Sequence, residues 1–281
     1  MANVLERGIA VWRRHWPGLF LACLAVAVVP GLTAALVGAL LGLLPVGLAD
    51  ALVLLLPVQF AGEGPDVTVL LGQKGSWVAL ALYGVLILLG SAGILGILRT
   101  VVHEGRAPSA SDFLAGIRRY TGRQVGVRVL CTLVLAAAAL AAGLVYVLAG
   151  AVLAGWLVPI AGLAALLAGI SAVLYADFAL VVEEGTATEA MGDSVGVLTE
   201  RWREAVGAAL MFNLISVAGE AAGWLVARII PGLPGLLLSL LPVALAESIL
   251  LAYLAVRYVE HVHRGIYGRD GRFAIDERKA G

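Results

Sequence analysis

Two glutamates stand inside stretches that are otherwise apolar. Glu220 lies in Gly219-Glu220-Ala221-Ala222-Gly223, and Glu247 lies in the run from Leu233 to Val256. A carboxyl group in such surroundings can take up and release a proton, so the chemistry it offers is a step in a proton- or cation-coupled path. Asn213 lies about nine residues, roughly 13 Å, into the run that begins at Ala205. Glu247 lies about ten residues, roughly 15 Å, before Arg257. Antiparallel neighbours would bring Asn213 and Glu247 to similar depth. The plainer alternative is a protonated glutamate that hydrogen-bonds between helices and serves packing. Small residues flank Glu220 at a spacing of four, and Gly38 with Gly42 repeats that spacing. Gly90, Gly93 and Gly96 form a further small-residue patch. Such patches admit close helix contact.

Asp177 is near the end of another apolar run, and Arg99, Arg128 and Arg257 are at comparable positions. An Asp–Arg contact that locks helix ends is expected there, with a gate as the functional alternative, because intramembrane charges usually pair. Glu260 and His263 are three apart, a spacing that carboxylate metal sites use. One such pair makes no metal site, and His15, His103 and His261 add no second pair. Neither metal nor cofactor is expected. The chain has no P-loop, G-x-S-x-G, H-E-x-x-H or zinc-type cysteine pair, so no catalytic residue is assigned. Cys23 and Cys131 stand in apolar runs and read as buried thiols.

These residues need long apolar elements to hold them, and the composition supplies them. Of 281 residues, 61% are hydrophobic and only 14% charged, with a mean hydropathy of +0.99. A soluble domain is roughly a quarter charged. Six runs meet the roughly 20 residues that a crossing requires: Pro17–Leu41, Trp77–Leu98, Val125–Leu148, Leu157–Val182, Ala205–Val226 and Leu233–Val256. The first is too long for the apolar part of a cleavable leader. Val46–Phe60 is apolar but short and carries Asp50 and Pro57, which suggests a re-entrant or interfacial helix, with a seventh span as the alternative. Of the 19 basic residues, only Lys74 and Arg228 fall on one side of this layout. The basic side is expected in the cytoplasm, with both termini. The expected fold class is all-α: a polytopic transmembrane helical bundle of six spans, in the cell membrane. Net charge is zero, so no nucleic-acid partner is expected.

Each basic segment before an outward-going span carries an amphipathic stretch: Val4–Trp16, Ser111–Tyr120 and Ala187–Trp202. An aromatic closes each one, and Trp16, Tyr120 and Trp202 are candidate anchors at the headgroup level. Ser109 or Ser111, and Thr186 or Thr188, are candidate caps. Residues 1–281 therefore parse as a single integral membrane domain of three units, about 1–103, 104–183 and 184–260, with a polar tail over 261–281. Each unit is an interfacial helix on the cytoplasmic side followed by a hairpin. Glu104-Gly105 and Glu184-Gly185 introduce the second and third.

Leu180-Val181-Val182-Glu183-Glu184-Gly185 is followed by a small-residue amphipathic stretch with Ala190, Ser194 and Trp202, then by an apolar run. This layout resembles the membrane domain attached to some glycerophosphoryl diester phosphodiesterases. It also resembles the free-standing six-helix bacterial membrane proteins related to that domain. The motif covers about residues 180–215, and Glu189, Asp193 and Glu200 depart from the usual basic character of that helix. The resemblance implies a six-helix membrane fold and no agreed activity. The phosphodiesterase barrel of about 250 residues has no room here.

Three functions are compatible with these residues. The leading one is a non-enzymatic membrane protein, either a carrier for a small or lipidic solute or a membrane-homeostasis factor. The second is an accessory scaffold for another membrane protein, and an intramembrane enzyme comes last. The expected partners are the lipid bilayer and either a small-molecule or lipid ligand or another membrane protein. A polar cavity reaching Glu247 would favour the carrier.

Overall fold

The computed structural model describes residues 2–42, 74–149 and 157–263. These residues form α1 (Ala2–Leu40), α2 (Lys74–Arg99), a π-helical turn (Thr100–Glu104) and α3 (Ala110–Ala149). Then come α4 (Leu157–Val173), α5 (Ala176–Val182), α6 (Ala187–Glu200), α7 (Trp202–Ile229) and α8 (Leu233–His263). The described chain is all-helical, without a strand. Among the described residues, five segments are long and apolar enough to cross a membrane: Val4–Leu40, Ser76–Glu104, Ala110–Leu144, Trp202–Ile229 and Leu233–Glu260. The stretch Val46–Phe60 lies outside the described residues.

Neighbouring helices close a ring. Contacts run from α1 to α2, α2 to α3, α3 to α4, α4 to α7, α7 to α8 and α8 back to α1. Glycines set the closest approaches. A Cβ on Gly116 of α3 would lie 2.6 Å from the Gly96 Cα of α2. A Cβ on Gly223 of α7 would lie 2.6 Å from the Ser239 carbonyl oxygen of α8. The small-residue spacings around Glu220 and in α2 thus serve helix packing, as dispersion demands where lipid removes the hydrophobic drive. At the closing seam, Arg7 Nη1 of α1 lies 2.8 Å from Glu260 Oε1 of α8. Trp12 donates a 2.9 Å hydrogen bond to Ser248 Oγ. The start of α1 and the end of α8 therefore share one face of the bundle.

The fourth expected run is broken. Leu174 and Tyr175 separate α4 from α5. Ser194 of α6 bridges the break: its Oγ donates to the Ala172 carbonyl at 2.6 Å and accepts from the Tyr175 N–H at 3.1 Å. A short side chain thus satisfies backbone groups that the interrupted helix leaves open. Helix α5 plugs one half of the ring, and Phe178, Ala179, Leu180, Val181 and Val182 are all buried.

Two of the three amphipathic stretches are not separate helices. Val4–Trp16 is continuous with the first apolar run in α1, through Pro17, and Ser111–Tyr120 is continuous with the third in α3. Burial explains it: Val4, Val11 and Leu19 of α1 and Tyr120 and Val127 of α3 enter one hydrophobic core, so lateral packing keeps each helix running. Only the third stands alone, as α6. A full capping box starts it, in which the Glu189 N–H reaches Thr186 Oγ1 and the Thr186 N–H reaches Glu189 Oε2. It ends where Arg201 leaves helical geometry at φ −138° and ψ 47°. Tyr120 is fully buried rather than set at a headgroup surface, whereas Trp16 and Trp202 are exposed. Spacing identified the stripe that holds Tyr120 but not which way that stripe turns.

Candidate functional site

The ring encloses a cavity of about 440 Å³ above α5, within the ~300–1,000 Å³ of ordinary ligand sites. Every helix of the ring, and α5, contributes to its wall. The polar contributors are Ser91 from α2, Gln124 and Arg128 from α3, Asp177 from α5, Ser216 from α7 and Glu247 from α8. The rest is mostly apolar, with Cys23, Leu95, Phe178, Phe212 and Leu251 among the lining.

Helical spacing on α3 explains part of this convergence. Gln124 and Arg128 are four apart and share a face. Tyr120 precedes them by another four, and Tyr120, Gln124 and Val127 are all buried. Arg128 Nη2 meets Asp177 Oδ2 at 2.7 Å, which ties α3 to the buried α5. Asp177 Oδ1 and the amide of the buried Gln124 stand beside each other without forming a hydrogen bond of good geometry. Unsatisfied polar atoms at this depth are costly unless something enters to meet them.

The candidate residues separate. Asp177 takes Arg128 and not the other two arginines. Arg99 binds Glu184 Oε1 at 2.9 Å and Glu104 Oε1 at 3.0 Å. Arg257 binds Glu204 Oε2 at 3.2 Å. Glu247 lines the cavity, whereas Glu220 is exposed and does not line it. The Asn213 amide donates to the Ala209 carbonyl of its own helix at 2.7 Å, while Phe212 and Ser216 are the residues of α7 that line the cavity. Depth alone could not choose the face. Gln124, Ser91 and Ser216 were not singled out in the sequence, although the four-residue step from Gln124 to Arg128 was a usable signal.

At the face that carries Arg7 and Glu260, a charge network fixes the lower end of α5. Glu184 has φ 54°, a left-handed conformation that costs of order 1–3 kcal/mol for a residue with a side chain. Its carboxylate binds Arg99 and, at 2.7 Å, Arg119, and its carbonyl accepts from Arg123 at 3.0 Å. Burial pushes this carboxyl up, but the Arg99 hydrogen bond and the charges of Arg119, Arg99 and His103 outweigh it, so it lies below its ordinary value. His103 Nε2 lies 3.0 Å from the Val181 carbonyl oxygen. Glu260, which spacing sets beside His263, binds Arg7.

Comparison with protein-family models, curated proteins and solved structures finds no match to this chain. Its class therefore rests on its own features. The long apolar helices are those of a multi-pass membrane protein.

Proposed function

We propose that this is a carrier-like protein of the cell membrane that holds a small or lipidic solute in the central cavity. One observation carries the reading: the cavity joins Glu247 to Gln124 and to the Arg128–Asp177 pair within one ring of helices. A site of mixed character suits a solute with an apolar body and a few hydrogen-bonding groups. Glu247 supplies a protonatable carboxylate to that site, which suits coupling to a proton or cation. The broken pair α4–α5 serves as the fourth of six crossings. The basic face, with both termini, is the cytoplasmic one by the distribution of arginine. The resemblance of residues 180–215 to the six-helix membrane domain supports the same count. An enzyme is disfavoured, since the polar groups at the cavity form no nucleophile–base set.

Flux in proteoliposomes tests the coupling. Under an imposed membrane potential, proton entry is read with a trapped pH-sensitive dye. Wild type should admit protons above empty vesicles, and Glu247→Gln should return to that background. Equal flux in the two proteins would remove glutamate-dependent coupling.

A second reading has its own observation. Helix α3 exposes Leu133, Leu140, Leu144 and Val147, and among the described residues its apolar stretch is the least enclosed of the five long ones. Another membrane protein could cover that face, as the scaffold reading requires.

A further inference from the structure

On the outside of the ring, α2 and α3 part to leave a groove of about 760 Å³. Gly84 and Leu88 of α2 and Val129 and Leu133 of α3 form its apolar walls. Ser91 and Arg128 line this groove and the central cavity alike, so the two spaces share a wall. We infer that the groove is a side entrance for a membrane phospholipid, with the phosphate at Arg128 and one acyl chain along Val129 and Leu133. The inference rests on the cavity being a binding site and names the class of molecule that reaches it.

Three features fit this occupant. First, Val129 and Leu133 are exposed on an apolar helix of membrane-crossing length, so acyl chains are the solvent that meets them. Second, Arg128 stands where α3 changes character. Arg118, Arg119 and Arg123 precede it, and the exposed Leu133, Leu140 and Leu144 follow. A phospholipid has the same order, with phosphate and then chain. Third, Arg128 has donors to offer. Asp177 engages Nη2, the side chain is 51% exposed, and a guanidinium fork of five N–H groups matches phosphate geometry. One helical turn earlier, the buried Gln124 amide stands beside the Asp177 carboxylate on the cavity side, where the remainder of a lipid head would reach it. A free inorganic anion would use Arg128 but leave the apolar groove without a purpose.

Photolabelling of the whole protein in phosphatidylcholine nanodiscs tests this. A small share of the lipid carries a diazirine at the end of one acyl chain, and adducts are mapped by mass spectrometry. Adducts should concentrate on residues 84–91 and 125–133. A Cβ added at Gly84 meets nothing within 4 Å, so Gly84→Leu fills the groove without displacing a packed neighbour. That variant should cut groove adducts about tenfold, equivalent to a loss of about 1.4 kcal/mol. Gly143→Leu, on α3 outside the groove and equally unobstructed, should leave them unchanged. Arg128→Gln should weaken labelling, with partial retention in Arg128→Lys. Adducts spread evenly over all exposed helix faces, or groove adducts that survive Gly84→Leu, would overturn the entrance. So would competition by inorganic phosphate, which would point to a free anion. Labelling does not depend on Glu247. Groove adducts without Glu247-dependent flux therefore keep the entrance and remove the coupled carrier, whereas flux without groove adducts does the reverse.

Discussion

Removing one member of the Arg128–Asp177 pair leaves the other charge among apolar walls. The cost should be about 1–3 kcal/mol, below that of a fully buried pair because the Arg128 side chain is half exposed. Arg128→Asp and Asp177→Arg should each lower the yield of folded protein, and the double swap should restore it. Size-exclusion recovery after detergent extraction reads this directly. If Arg257→Asp rescues Asp177→Arg instead, the pairing seen here is wrong. The same residues show how far spacing reaches. That Asp177 needs an arginine followed from the cost of a lone charge in apolar surroundings. Which of Arg99, Arg128 and Arg257 it takes depended on where α5 sits, and the sequence has no local term for that.

At the scale of elements, α6 holds the interrupted fourth run together. Ser194 serves two backbone groups at the break between α4 and α5, and it is buried. Ser194→Ala should expose that debt by roughly 1–3 kcal/mol. It should raise the deuterium exchange of amides in residues 174–182 while leaving α1 and α8 protected. Uniform exchange in the variant would show that α6 does not support the break. The amphipathic stripe of α6 and its Thr186 cap were legible, because caps and periodicity are local properties. The continuity of α1 through Pro17 and of α3 through Tyr120 was not. The end of each amphipathic stripe suggested a boundary, and core contacts with distant helices overrode it.

At the scale of the molecule, the ring makes the start of α1 and the end of α8 neighbours. Arg7 and Glu260 are 253 positions apart in the chain and in direct contact. Single cysteines placed at the exposed Arg13 and Arg228, in a protein lacking Cys23 and Cys131, test the proposed orientation. A membrane-impermeant maleimide on intact cells should reach Arg228→Cys and should reach Arg13→Cys only after permeabilisation. Labelling of both from one side would overturn the six-crossing arrangement.

The sequence by itself determined the helical class and the apolar runs, because a span must satisfy its own backbone and match the bilayer in length. It also marked the glutamates and the Asp–Arg chemistry, since lone charges in apolar runs stand out by composition. Only the tertiary structure decided that six helices close a ring around α5, that Glu247 shares a cavity with Gln124 and Arg128, and that Asn213 does not line it. Facing directions depend on contacts between residues far apart in the chain. A stretch of nearly uniform apolarity, such as α4 or the part of α3 beyond Arg128, carries no periodic signal to say which of its sides turns inward.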